Sequence, residues 1–547
     1  MADGLQTYPF EFRGGLISNL SPLQQGTQAP GSARLLKNFE PSTDGGYRRI
    51  EGYSKYSSSF VPSYGEPKVQ GSGQTGTTLI IANIYTTPSD GDTFTIAGIE
   101  KVYTVLAVPT VTTGAAALSI YPSLASSPAD NAALTMLSCD RSGGGKLRFT
   151  KYRVAGVDKV AGVDGVNVPF IWNGTTFSEM ISAPSDVIGA SFIAYHKNQM
   201  LFAKGETLVF TSPYTDTDFN AANGSGVISV GGAITGIIPF REALIIFTDK
   251  TIQQLVGNTL EDFVLQPVTN KVGCVAPDTI QEIGGDVIFL GPEGLRLFSA
   301  TDRVGDFNLG VVSKTIQSEM TSLISASTSF ASCIIKQKSQ YRIFGYLSST
   351  SAVSSSKGVL GTQMVGDNTS NMSWAETIGI KAYAIDSDYE NQTETIVFAN
   401  DDGYVYQMEK GNSFDGSNIV ASFATPFVSI NDPRLRKTFY KLFLYTDPQG
   451  SVTTSVNLKL DFDTLNSIQP DTIQLSNEQD GNGGIGFYGS SSAKYGSIVY
   501  GSKLMKQFET QVVGSAFSVS LQFISDGQNP PFSLDAATLE YATHDRR

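Results

Sequence analysis

Residues able to do chemistry are few in this sequence and lie far apart. The two histidines are His196 and His544, and the three cysteines, Cys139, Cys274 and Cys333, form no pair at metal-ligand spacing. That inventory excludes a zinc site and a disulfide scaffold, which need clustered ligands or paired thiols. No GxxxxGK[ST] loop, dinucleotide fingerprint or GxSxG elbow is present, so nucleotide chemistry and serine hydrolysis lack their apparatus. His196 follows the strand-like run Phe192 to Tyr195 and reads as a structural histidine rather than a general base. The expectation is no enzyme: no catalytic residue, no metal ligand and no cofactor.

Three weaker candidates each have a plain reading. Ser42-Thr43-Asp44-Gly45-Gly46 matches part of the sialidase Asp-box, S-x-D-x-G-x-x-W, with Arg49 where the tryptophan belongs. Even a complete box is a turn outside the active site, and the scattered arginines do not supply the sialidase set around a tyrosine nucleophile. Asp386-Ser387-Asp388-Tyr389-Glu390 and Asp216-Thr217-Asp218 offer hard oxygens to calcium, but neither has an EF-hand frame, and both read as solvated turns. The compact basic groups, Arg48 with Arg49 and Arg434 with Arg436 and Lys437, are interface candidates suited to a neighbour's carboxylates.

The elements that must position these residues are strands. Short β-branched or aromatic runs end in Gly, Asn-Gly or Asp-Gly, which reads as hairpins because such turns need positive φ. One helix is predicted, Ser313 to Ala326, where Ile316, Met320, Leu323 and Ile324 share a face. The pair Asp-Phe recurs with its aromatic at 219, 263 and 307, two successive intervals of 44. Each copy follows a hairpin, turning at Lys204-Gly205, Asp249-Lys250 and Glu293-Gly294. Related units surround Asn173-Gly174 and Asp402-Gly403, and Tyr341 to Leu347 leads into a Ser-rich loop at 348–357. A period in this range is the signature of a β-propeller, whose small sheets bury their faces by stacking round an axis.

Two segments break the period. Residues 67–142 are rich in Thr, Ala and Ser and nearly devoid of basic residues, and read as an inserted small β-barrel. From Arg434 the strands become longer and alternating, which reads as a β-sandwich. The expected organisation is all-β: an N-terminal arm with the first propeller strands at 1–66, the insert at 67–142, a propeller of roughly five to seven blades at 143–430, and a sandwich at 431–547. A loop at 476–492 is expected to be mobile or ordered by a partner.

Composition narrows the function classes. The 547 residues carry a net charge of −13, only 16% are charged, and 55 are glycine. The acidic balance argues against a general electrostatic affinity for nucleic acid or anionic lipid. No apolar run reaches the ~18 to 20 residues that cross a bilayer, and no basic-then-apolar leader opens the chain. Synthesis in the cytoplasm is expected.

The stretch Gly14 to Tyr56 resembles the openings of short-tailed bacteriophage tail proteins. It carries Gly14-Gly15-Leu16, then Leu36-Lys37-Asn38-Phe39-Glu40-Pro41, then Gly45-Gly46-Tyr47-Arg48-Arg49-Ile50-Glu51-Gly52-Tyr53. The insert is similar to phage material in Asp90 to Gly98, Tyr103-Thr104-Val105 and Leu118 to Leu124. Beyond it, the hairpin chain is similar only in architecture to the propeller of tail nozzle proteins, also called tail tubular protein B. The resemblance implies a virion tail protein, made in the host cytoplasm, that forms a homo-oligomeric ring of six copies. Such a ring sits below the portal and the tail adaptor, beside tail fibre proteins, and lets viral DNA pass its lumen during ejection without specific binding. An acidic wall suits that passage, since it does not hold a polyanion. The rival expectation is a propeller-based receptor- or glycan-binding tail protein, with depolymerase activity, which requires an aromatic and carboxylate-lined pocket.

Overall fold

The computed structural model describes residues 5–43, 45–56, 65–84, 87–88, 92–137, 145–174, 177–180, 183–259, 261–299, 311–364, 372–402, 404–448, 452–464, 468–476 and 506–544. Strands are the main regular structure of these residues, in many mostly antiparallel sheets. The chain divides into two compact units, Ser57–Ile193 and a larger one combining Met1–Tyr56 with Ala194–Arg547.

The first unit holds a six-stranded sheet that nearly closes on itself. Its strands run Gly65–Val69, Thr78–Ile84, Thr93–Ile96, Ile99–Val105, Ala115–Tyr121 and Leu134–Leu137. The first and last meet through the bridge of Lys68 to Ala133 and a bond from the Val69 amide to the Ala132 carbonyl. Alternation explains the curl: Leu79, Ile81, Phe94, Tyr103, Val105, Leu118 and Ile120 point inward to a private core, as period-2 patterning requires. The unit runs past the expected insert at 67–142, because it also contains the four-stranded sheet of Arg148–Val154, Val157–Val163, Phe170–Trp172 and Phe177–Glu179.

Further four-stranded meanders follow along the chain. One spans Phe192–His196 to Gly226–Ser229 and the next Ile234–Phe240 to Val264–Thr269; a three-stranded sheet covers Gln281–Ile283 to Gly294–Leu297. The sheet of Ala384–Glu390, Thr393–Ala399 and Val405–Met408 receives its fourth strand from Tyr53–Lys55, near the other end of the sequence. The hairpins expected at Lys204-Gly205, Asp249-Lys250 and Glu293-Gly294 all connect paired strands.

The Asp-Phe repeat marks one topological position. Phe219 and Phe263 each lie between the third and fourth strands of their sheets, and both are half-buried. Their contacts differ: Phe219 packs on Phe202 of its own sheet at 5.9 Å, while Phe263 meets Phe210 of the preceding sheet at 5.3 Å. Phe307 lies outside the described residues, as do Asp44, Cys139 and residues from 477 in the loop expected at 476–492.

The expected helix is present as a short 3-10 turn, Lys314–Ile316, running into Gln317–Ala326 with Ile316, Met320 and Leu323 buried. Ser313 does not cap it; its hydroxyl accepts instead from the Leu295 amide. A second helix, Pro22–Gln28, escapes pattern reading because it is barely two turns long, although Ser21 and Gln24 form a capping box.

The N-terminal arm is threaded through the larger unit rather than laid beside it. Gln6–Glu11, Phe39–Pro41 and Tyr47–Arg49 join the sheet of the long strands Arg436–Pro448, Lys506–Ala516 and Phe532–His544. Leu35–Lys37 sits inside a nine-stranded sheet, parallel to Met372–Ile378 on one side and antiparallel to Ile419–Ala424 on the other. That three-residue strand joins the meander of Ser329–Ile335 to Met372–Ile378 with the C-terminal strands Thr453–Leu460 and Val519–Gly527. The expected boundary near 430 therefore divides a continuous sheet. Phe12 and Tyr47 from the arm pack on Phe423 at 4.9 and 4.8 Å, and Phe423 stacks on Phe523 at 5.5 Å.

Candidate functional site

The five interface candidates separate into two groups. Arg49 is fully buried on its strand, and Nη2 donates to the Gly527 carbonyl at 2.7 Å while Nη1 donates to the Asn529 carbonyl. Burial pushes its guanidinium down to about 10, against the nearby charge of Asp526. Lys437 is also buried, with Nζ donating to the Asp432 carbonyl at 2.5 Å. These two are corrections to the interface reading: their charges terminate backbone carbonyls inside the fold, where no neighbouring molecule reaches them.

Arg48, Arg434 and Arg436 keep solvent access. Arg48 pairs with Glu51 at 2.6 Å, and Arg434, with its side chain 82% exposed, pairs with Asp432 at 3.0 Å. Arg436 donates to the Ser515 carbonyl at 3.0 Å and lies over the Phe517 ring at 5.8 Å. Each already has a partner within the chain.

The densest charge grouping was not legible in the sequence. Glu40, Lys338, Arg342 and Glu409 converge from three distant segments. Arg342 reaches Glu40 at 3.0 Å and Glu409 at 2.5 Å, and Lys338 reaches the same two carboxylates at 2.7 and 2.5 Å. Gln340 closes the group, donating to Glu40 at 3.1 Å and accepting from Arg342 at 2.8 Å. Burial alone would raise the Glu409 carboxyl, but Arg342 and Lys338 pull it down to about 2. Burial opposes the charge on Arg342 and Lys338 as well, and the two carboxylates outweigh it, so both stay charged more firmly than usual. Two anions and two cations balance here, which makes this a clasp holding Phe39–Pro41 against Gln340–Tyr346. One signal was available: Arg342 interrupts the apolar run Tyr341, Ile343, Phe344, and a charge in a buried strand requires a partner.

The remaining candidates are structural in their contacts. The His196 ring is buried, and burial lowers its pKa, with Lys197 acting in the same direction. Cys274 and Cys333 are buried thiols pushed up to about 12 by desolvation. Asp218 accepts from the Asn220 amide at 2.9 Å and from Asn223 at 2.7 Å within its own turn. Asp386 and Asp388 belong to a strand, not a turn, and each accepts from the following amide at 2.9 Å. Among the described residues no group of three His, Cys, Asp or Glu side chains is placed to hold a metal ion. The partial Asp-box is the turn between Phe39–Pro41 and Tyr47–Arg49, closed by the Ser42 amide on the Gly46 carbonyl at 3.1 Å.

No family model matches the chain, and no curated protein matches it. Solved structures align over long stretches at low similarity. A chain of the mitotic checkpoint complex is 8% identical, covering 66% of this chain and 93% of its own length, with a TM-score of 0.33. The exo-β-1,3-galactanase of Phanerochaete chrysosporium is 10% identical, covering 90% and 100%, with a TM-score of 0.23. The computationally designed Ika8 protein is 10% identical with a TM-score of 0.26. Scores at this level assign neither fold nor function.

Proposed function

We propose that this chain is a structural protein of a short phage tail, a nozzle subunit that assembles into a ring and extends the DNA channel. The observation that carries the reading is the role of the stretch resembling tail proteins. Residues 14–56 form strands in three separate sheets, and their side chains fill the core and supply Glu40 to the clasp. A segment so embedded helps to build the fold, so a resemblance there concerns architecture rather than a site.

The succession of small antiparallel meanders, with Tyr53–Lys55 completing the sheet of 384–408, supports the propeller in this reading. On the same reading the long strands from Arg436 onward are the sandwich part. The net charge of −13 per copy suits a wall that DNA slides past. On this reading the protein works through its interfaces, without a catalytic centre.

Native mass spectrometry of the purified chain, with imaging of intact tails, tests the proposal. A closed ring of fixed copy number on the tail axis supports it. A trimer that releases new reducing ends from host polysaccharide overturns it in favour of the glycan-binding alternative.

A further inference from the structure

Three hairpin turns that open successive sheets are tied in series. Lys197-Asn198 joins Phe192–His196 to Gln199–Lys204, Arg241-Glu242 joins Ile234–Phe240 to Ala243–Thr248, and Gly284-Gly285 joins Gln281–Ile283 to Asp286–Gly291. Lys197 Nζ pairs with the Glu242 carboxylate, and Arg241 Nη2 donates to the Gly285 carbonyl at 2.9 Å. Each turn grips the next, and the first tie is an ion pair.

His196 stands directly before that ion pair. Its ring is 7% exposed, and Nε2 has no hydrogen-bond partner among the described residues. A neutral imidazole tolerates such a place at modest cost. An imidazolium there carries a full charge and a donor without an acceptor, out of water. The charges around it give no relief: Lys197 opposes a second cation, and Glu242, the carboxylate that acts on the ring, is already held by Lys197. Arg241, beside Glu242, is a further cation and lies over the Phe240 ring at 4.8 Å. Tyr195 belongs to the opposite face of the strand, where Tyr214 and Asp216 act on it. Burial first, then Lys197, holds the ring below the ordinary histidine range, with Glu242 opposing them.

We infer that His196 makes the first tie acid-sensitive: a proton taken from water onto Nε2 loosens the contact of Lys197 with Glu242 and lets the two turns part. The inference concerns the fold of one copy and stands whether or not copies form a ring. A histidine held below its unfolded value of ~6.5 contributes stability that is complete above that value and is lost as pH falls through the folded one.

Two mass-spectrometric readouts on the full-length chain test this. Exchange of the imidazole C2 hydrogen titrates His196 and His544 separately, since the sequence has no other histidine. Backbone exchange over 197–204 and 241–248, corrected for intrinsic rates, reports parting of the turns between about pH 7.5 and about pH 5. The expected results are a His196 midpoint below ~6.5 that rises in Lys197→Met, and opening that grows by up to about tenfold per pH unit in the wild type but not in His196→Gln. A His196 midpoint at or above ~6.5, or equal pH dependence in the wild type and His196→Gln, overturns the inference. Where His196→Gln fails to fold, the C2 midpoint and its displacement in Lys197→Met decide by themselves.

Discussion

Glu40 and Arg342 lie 302 positions apart in the chain and 3.0 Å apart in the fold, with side chains only 3% and 1% exposed. Lys338 and Glu409, 23% and 14% exposed, complete the neutral group, so the loss of Arg342 leaves Glu40 in a nearly water-free site without its buried partner. The clasp thus ties the arm strand Phe39–Pro41 to the strand Gln340–Tyr346.

Arg342→Met is expected to destabilise the larger unit by about 3–5 kcal/mol, the cost of an orphaned buried charge. Urea unfolding measures it. A loss under about 1 kcal/mol would mean that the carboxylates are solvated and the clasp is not closed.

The clasp also sets an acid limit. Glu409 titrates at about 2 in the fold and near ~4.3 unfolded, so the unfolded chain binds the proton first. Its contribution is complete about a unit above the unfolded value and is lost progressively as pH falls toward 2. Stability measured across that window should decline, and Glu409→Gln, weaker throughout, should show a flatter decline. Equal slopes for the two proteins would remove Glu409 as the cause.

Arg49 and Arg434 should respond in opposite ways to charge reversal. Arg49→Glu sets a carboxylate against the carbonyls of Gly527 and Asn529, so the chain is expected to unfold or to lose more than ~3 kcal/mol. Arg434→Glu loses only the solvent-exposed pair with Asp432 and should melt normally. Melting curves decide the matter; a normally melting Arg49→Glu protein would refute its burial.

The Gly-Gly-Leu opening has a steric reason. Gly15 has φ of +66°, and a Cβ there would lie 2.6 Å from the Trp374 amide nitrogen. Gly15→Ala is therefore expected to cost about 2–4 kcal/mol. Gly205, at φ of +58° with nothing within 4 Å, is the control, and its alanine variant should cost only ~1 kcal/mol. Equal midpoints in urea would contradict the close approach.

The regular hairpins were readable because each turn has its own residues and each strand its own alternation. The helix at 317–326 was readable because Ile316, Met320 and Leu323 fall on one face. Leu35–Lys37 was not, since three residues carry no period, and its place between 372–378 and 419–424 depends wholly on tertiary pairing. The burial of Arg49 and Lys437 was hidden for a different reason. A basic residue reads as surface unless its acceptors are known, and theirs are backbone carbonyls, which sequence does not distinguish. Glu40 and Glu409 were invisible as a pair because their meeting is a property of topology.

The strand Leu35–Lys37 gives synthesis a timetable. Its partner Ala424 is made about 390 residues after it, which at ~5–20 residues per second is a delay of about 20–80 s. Phe39 can pair at once with the strand Tyr47–Arg49, but Phe10, buried in the finished fold, waits for Ala537 on the last strand. The barrel and the early meanders pair only with near neighbours and can form while the arm waits. The sheet that holds Leu35–Lys37 therefore cannot close until Ile419–Ala424 has been made.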